Sequence, residues 1–243
     1  MTKDTDSHDL SRVAVIIPAL NEAGSLKTLL PLLERYSLGQ ILVCDNGSTD
    51  ATRAVVEACG AQWVFERRRG YGAACFAGMQ QLAPSITVVV FMDADLSDDV
   101  TLLPALAGPI VNDECDFVLG ARAVELRERE STTGAQRLAN LLFPTLIRLG
   151  WGHRYEDLGP FRAIRRSSLE AIGMQDRAFG WTIEMQIRAI ELGLRIREIS
   201  VPYRKRQQGT SKISGTLRGV VMAAYWITRT CAALWITRRL RMR

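Results

Sequence analysis

Three short apolar runs, at residues 13–17, 41–44 and 86–91, together with a short strand-like stretch at 62–65, alternate with helix-forming sequence through the first hundred residues. Runs of four to six residues rich in Val and Ile, with no polar alternation, mark strands buried on both faces, as in parallel sheets covered by helices. Regular alternation of such strands with helices specifies a doubly wound, mostly parallel α/β sheet. A chain of 243 residues fits one such domain, since a single core stops growing at roughly 250–300 residues. Average apolar and charged content, 47% and 23%, excludes disorder or a coiled coil as a description of the whole.

The expected helices are 25–36, kinked or broken at Pro31, a second from the turn at Asp45–Asp50 to about Cys59, and a third over 70–82. Further on, 117–119 reads as a strand ending at Gly120-Ala121-Arg122, and 123–130 as a charged loop. Residues 134–149 read as a helix broken at Pro144, 183–192 as a helix, and 195–201 as a strand ending at Pro202. Polar clusters fall just after the strands: Pro18 to Glu22, Asp45 to Asp50 and Asp93 to Asp99. Open α/β sheets bind ligands beyond the carboxyl ends of their strands, so these three clusters should converge on one site. Neither G-x-G-x-x-G nor G-x-x-x-x-G-K-[ST] follows the first strand, which removes the main support for a dinucleotide oxidoreductase or a P-loop kinase.

Charge is distributed unevenly. From Arg195 onward ten arginines and two lysines face the single acid Glu198, a local charge of +11 that leaves the preceding chain at −6 within a total of +5. The basic end also carries Tyr225, Trp226 and Trp235 among aliphatic residues, the composition of a helix lying in a bilayer interface; a helix docked on the protein's own core is the alternative. No run reaches the ~20 apolar residues of a membrane span, and the polar 1–12 segment does not resemble an export signal. Five scattered cysteines without a C-x-x-C pair suggest a reducing compartment, with neither a disulfide framework nor a zinc site. Two distant histidines offer little for a Ser-His-Asp apparatus.

Chemistry concentrates in a few places. Asp93-Ala94-Asp95 places two carboxylates at a strand end, where hard oxygen donors suit Mg²⁺ or Mn²⁺ shared with substrate phosphates; a solvated acidic turn has the same composition. Arg67-Arg68-Arg69-Gly70-Tyr71-Gly72 precedes a helix, so a phosphate could meet guanidinium groups and a helix N-terminus at Gly70, or the run could be a solvated surface. Arg206 to Lys212 joins two cations, a glycine and hydroxyls in a loop able to close over a phosphate, or is a plain basic loop. Glu184 opens a helix, where its charge complements the dipole or serves as a base.

Taken together, Ile16-Ile-Pro-Ala-Leu-Asn-Glu22, Val43-Cys-Asp-Asn-Gly-Ser-Thr-Asp50, Met92-Asp-Ala-Asp-Leu96, Gly120-Ala-Arg122 and Arg206-x-x-Gly-x-Ser-Lys212 resemble, in order and spacing, the family 2 glycosyltransferases. The likeness is strongest to the dolichyl- and polyprenyl-phosphate mannosyl- and glucosyltransferases. It implies a GT-A (Rossmann-like) domain over 13–216, between a polar tail (1–12) and a basic amphipathic helical segment (217–243). It further implies Pro18, Ala19, Asn21, Glu22 and Asp45 on the nucleotide, and Asp93 and Asp95 on a Mg or Mn cation. Arg122, Arg137, Arg206, Ser211 and Lys212 would lie on donor or acceptor phosphates. Asn46 stands where a second Asp is common, Ser97 where the lipid-phosphate branch often has Gln, and Gly159-Pro160-Phe161, near Asp157, where Ser-Gly-Phe is frequent.

The expected activity is inverting transfer of a hexose from a UDP-glucose or GDP-mannose type donor to a polyprenyl phosphate, on the cytoplasmic face of an anionic membrane. Such an acceptor is already anionic and needs no general base; a hydroxyl acceptor would need one, with Glu184 or Asp157 as candidates. That second acceptor class is the alternative within the family. A nucleic-acid-binding protein using the basic tail is a third reading, and it leaves the strand-end acids without a role; nucleic acid is therefore not an expected partner.

Overall fold

The computed structural model describes residues 9–122, 144–202 and 217–241. Seven strands form one sheet in the order β3-β2-β1-β4-β6-β5-β7: β1 Val13–Ala19, β2 Gln40–Asp45, β3 Gln62–Phe65, β4 Val88–Phe91, β5 Phe117–Arg122, β6 Arg162–Arg165 and β7 Ile196–Val201. All neighbouring pairs are parallel except those of β6, which runs antiparallel to β4 and to β5. The expected mostly parallel sheet is therefore present, with one reversed strand that the apolar pattern did not announce.

The inner strands β1, β4 and β6 are buried on both faces because helices cover both, whereas the edge strands β3 and β7 are largely half-buried or exposed, against the expectation for 62–65. Val13, Val15, Ile17 and Ala19 of β1 face α1 (Ala23–Leu33), α2 (Thr52–Ala58) and α4 (Leu103–Val111). Ala14 and Ile16 face α3 (Tyr71–Met79), α5 (Arg166–Ile172), α6 (Trp181–Glu191) and part of α7 (Leu217–Arg241). α1 runs through Pro31 and gives way only to a 3-10 turn at Glu34–Tyr36, so the expected break lies three residues later. Residues 144–151 are helical, beginning at Pro144 among the described residues.

β1 extends through Pro18, where the apolar run suggested it would stop. Ala19 faces β2, its carbonyl accepting from Asn46 N at 2.9 Å, and Ile16 faces β4, its carbonyl accepting from Met92 N at 3.3 Å. Alternation along the strand therefore aims the missing N–H of Pro18 toward β4, whose pairing with β1 has ended at Ile16 and Phe91, so no ladder bond is lost. The two strands separate there. β1 has β2 on one side and β4 on the other, which makes this the point where the strand order reverses and where a crevice opens.

α7 packs on the domain through one stripe. Cys231 and Leu234 are buried in the core cluster of α3 and α6, Thr230 Oγ1 donates to Asp176 Oδ2 at 3.0 Å, and Arg238 donates to the carbonyl of Gly150. Tyr225, Trp235, Ile236 and Leu240 of the same helix are exposed. The guanidinium of Arg229 lies 4.9 Å from the ring of Trp226 and that of Arg239 3.9 Å from Trp235. Docking and an outward aromatic and basic surface thus coexist on one helix. No described helix is long and apolar enough to cross a membrane.

Candidate functional site

The ends of β2, β1 and β4 lie side by side, and at about 4.8 Å per strand their loops share a rim roughly 10 Å across. The loops are laced to one another. Asn21 donates its backbone N–H to Ser48 Oγ at 2.8 Å, and its side-chain oxygen accepts from Thr49 N at 2.7 Å. This reciprocal pair holds Asn21 at φ +55, a left-handed conformation Asn tolerates better than most residues. Glu22 N donates to Thr52 Oγ1 at 3.1 Å, and Asp50 accepts from Ala23 N at 3.2 Å and Thr52 N at 3.0 Å, serving both α1 and α2. Burial works to raise the carboxyl of Asp50, but the hydrogen bonds from Thr52 and Ala23 outweigh it and keep it below the usual range.

Asp45, buried at the end of β2, accepts from Gly47 N (3.1 Å) and Ser48 N (2.7 Å) through Oδ1 and from Trp63 Nε1 (3.2 Å) through Oδ2. Trp63, on which Arg53 stacks at 4.2 Å, was not among the sequence candidates; only the β2–β3 register brings it to Asp45. Asn46, in place of the commoner Asp, is used fully. Its amide donates to the carbonyls of Glu66 (3.1 Å) and Arg68 (2.7 Å) while its oxygen accepts from Gly70 N (2.8 Å).

At Gly70 the structure corrects the sequence expectation. A helix N-terminus open to phosphate needs unoccupied amides, but Gly70 N is bonded to Asn46, Gly72 N to the carbonyl of Ala178 and Ala73 N to that of Arg177. Gly70 is instead required for close approach: at φ +142, an added Cβ would lie 2.1 Å from the Arg177 carbonyl oxygen.

After β4 the chain turns sharply. Asp93 N donates to Asp98 Oδ2 at 2.9 Å, Asp95 Oδ1 accepts from Ser97 N at 3.0 Å, and Leu96 sits at φ +65. Ala94 and Leu96 are buried while Asp93 and Asp95 are half-buried, so the turn drives its apolar residues into the core and keeps both carboxyl groups at the rim. Two hard oxygen donors fit a cation that takes its remaining ligands from water and phosphate, as Mg²⁺ and Mn²⁺ do. No group of three or more His, Cys, Asp or Glu able to hold a metal occurs among the described residues. At the start of α3, burial pushes the hydroxyl of Tyr71 well above its ordinary value, and the carboxylates of Asp93 and Asp98 push it further.

Both candidate bases are buried. Glu184 is 2% exposed; it accepts from Asp176 N (2.7 Å) and Gln175 N (3.0 Å) and pairs with Arg188 (2.9 Å). These bonds fold the 174–178 loop, whose carbonyls receive the amides of α3. Asp157 is equally buried; its Oδ1 accepts from Leu158 N at 2.8 Å and its backbone carbonyl from Gln186 at 3.0 Å. Arg122 ends β5, opposite Val201 of β7. Arg137, Arg206, Ser211 and Lys212 lie outside the described residues.

The sequence profile described as Glycosyl transferase family 2 matches residues 14–173. An uncharacterized glycosyltransferase of Mycobacterium tuberculosis is 36% identical over 222 residues, covering 87% of this chain and 94% of the relative. An undecaprenyl-phosphate mannosyltransferase of Micrococcus luteus is 31% identical over 245 residues, covering 95% and 99%. A dolichyl-phosphate hexose transferase of Haloferax volcanii is 31% identical over 196 residues, covering 80% and 83%. Among solved structures, glucosyl-3-phosphoglycerate synthase of Mycobacterium tuberculosis with phosphoglyceric acid superposes with a TM-score of 0.73 at 22% identity, covering 90% of this chain and 80% of that one. The same enzyme with Mn²⁺, UDP and glucosyl-3-phosphoglycerate gives 0.71 at 22%, with the same coverage.

Proposed function

We propose that this chain, which belongs to glycosyl transferase family 2, moves a hexose from a nucleotide-sugar to a polyprenyl phosphate, with inversion and with a divalent cation held by Asp93 and Asp95. Glycosyl transfer itself follows from the family. The acceptor reading rests above all on the Micrococcus luteus relative, a polyprenyl-phosphate enzyme by name that aligns over 95% of this chain and 99% of its own length.

The site's chemistry supports that acceptor. A phosphate monoester is anionic near neutral pH and attacks without losing a proton, so no general base is needed. Both carboxylates that could have served a hydroxyl acceptor are buried and hydrogen-bonded within the protein. A cation at Asp93 and Asp95 would supply charge neutralisation for the departing diphosphate. The chain's own part is to fix those carboxylates through the 93–98 turn and to seat the nucleotide along Pro18, Ala19, Asn21, Glu22 and Asp45. The outward face of α7, which holds Tyr225, Trp235, Arg229 and Arg239 and has no acid anywhere between 217 and 241, suits an anionic bilayer surface.

Label from a radioactive nucleotide-sugar should partition into organic solvent when undecaprenyl phosphate is supplied in anionic vesicles. Arg229→Glu with Arg239→Glu should cut that transfer at least roughly thirtyfold, at about 1 kcal/mol per removed basic residue, while transfer to detergent-dispersed acceptor is unaltered. Label remaining in the aqueous phase on a hydroxyl product would contradict the acceptor assignment.

A further inference from the structure

Arg162 of β6 is 1% exposed, yet it takes part in none of the ion pairs among the described residues. Its Nη1 donates to the carbonyl of Thr182 at 2.9 Å and its Nη2 to that of Gly159, while Nε has no acceptor. The ring of Phe117 stands 5.9 Å from the guanidinium carbon. A cation removed from water with two neutral acceptors, one orphaned donor and a buried carboxylate, that of Asp157, acting on it without forming an ion pair is a poor structural choice, because these groups offset only part of the lost hydration.

Its position suggests why it is there. In the antiparallel β4–β6 pair Arg162 stands opposite Phe91. Asp93 follows two residues further along, about 7 Å past Phe91 where β4 ends, so the register brings Arg162 to the base of the 93–98 turn. The Tyr71 hydroxyl, held well above its ordinary value chiefly by burial, feels both groups: the carboxylate of Asp93 raises it further and the guanidinium of Arg162 lowers it.

We propose that Arg162 is a positioning residue whose fixed, buried positive charge lies behind the acidic rim, weakening the rim's hold on a bare divalent cation and strengthening its hold on a cation that arrives with a nucleoside diphosphate. A bare Mn²⁺ ion is repelled by the guanidinium, whereas its complex with UDP or GDP carries net negative charge and is attracted. The rim thereby selects the loaded nucleotide over the free metal. The inference rests on Asp93 and Asp95 being the cation ligands.

Two affinities test it: that for Mn²⁺ alone, from the free-ion resonance in an electron paramagnetic titration, and that for UDP and GDP in excess Mn²⁺, by calorimetry. Arg162→Met should bind Mn²⁺ alone roughly fivefold more tightly and the nucleoside diphosphate roughly fivefold more weakly, for a unit charge acting at this range through a partly solvated medium. Arg162→Lys should return both to within about twofold of wild type while its transfer rate stays low, since lysine keeps the charge but loses the paired hold on Gly159 and Thr182. A purely structural arginine would weaken both affinities together or leave both unchanged, and either result overturns the inference. If Arg162→Met does not fold, Arg162→Gln is held to the same opposite-sign criterion. Wild-type protein that binds no Mn²⁺ would instead refute the ligand assignment on which the inference stands.

Discussion

Asp95→Asn is expected to lower the rate of sugar transfer by roughly a thousandfold, about 4 kcal/mol of transition-state stabilisation, with the melting temperature within ~2 °C of wild type. The stability half follows from the turn. Asp95 is half-buried, and the hydrogen bond it accepts from Ser97 N through Oδ1 at 3.0 Å can be made equally well by the carbonyl oxygen of Asn. The activity half follows from charge. A diphosphate leaving group develops negative charge as the sugar departs, and a neutral amide is a much poorer ligand for the cation that must meet it. Steady-state transfer and a thermal melt on one preparation check both halves. Turnover near the wild-type level would remove Asp95 from the chemistry.

Glu184→Ala should act in the opposite way, strongly on stability and weakly on chemistry. Truncation strands the amides of Gln175 and Asp176 and leaves Arg188, only 17% exposed, without its partner. Two orphaned donors and a broken buried pair come to about 3–4 kcal/mol, or a fall of roughly 10 °C in melting temperature for a domain of this size. Glu184→Gln keeps one acceptor oxygen for those amides and should lose less. Measured well below its melting temperature, the Gln variant should transfer sugar within about threefold of wild type. A general base would instead lose 10²–10⁴ on that substitution, so a collapse of kcat in folded Glu184→Gln would restore the catalytic role that the buried geometry removes.

These two acids show where the sequence was informative and where it fell silent. The parallel strands were legible because Val and Ile runs such as 13–17 and 86–91 are buried on both faces, and the polar clusters after them marked the rim. β6 was not legible: Arg-Ala-Ile-Arg is four residues long, and its one large buried charge reads as surface until the β4 register places it inside. α4 was hidden by Pro104, Gly108 and Pro109, which weaken a helical signal although Pro is tolerated in a first turn. The open N-terminus expected at Gly70 failed for a tertiary reason, since the amides of Gly72 and Ala73 are taken by carbonyls more than a hundred residues away and that of Gly70 by the side chain of Asn46. Glu184 was rightly placed at a helix start, but its burial depends on the 174–178 loop folding over it.

The central claim is that Asp93 and Asp95 grip the cation that neutralises the departing diphosphate, at the point where β1 and β4 part. Anomalous diffraction at the manganese edge, from crystals grown with Mn²⁺ and a nucleoside diphosphate, tests it most directly. The account requires a single strong peak about 2 Å from carboxylate oxygens of the Asp93–Asp95 turn, with the diphosphate on its open side. Nucleotide bound along the rim with no manganese at that turn, or manganese bound elsewhere with the diphosphate, would contradict it.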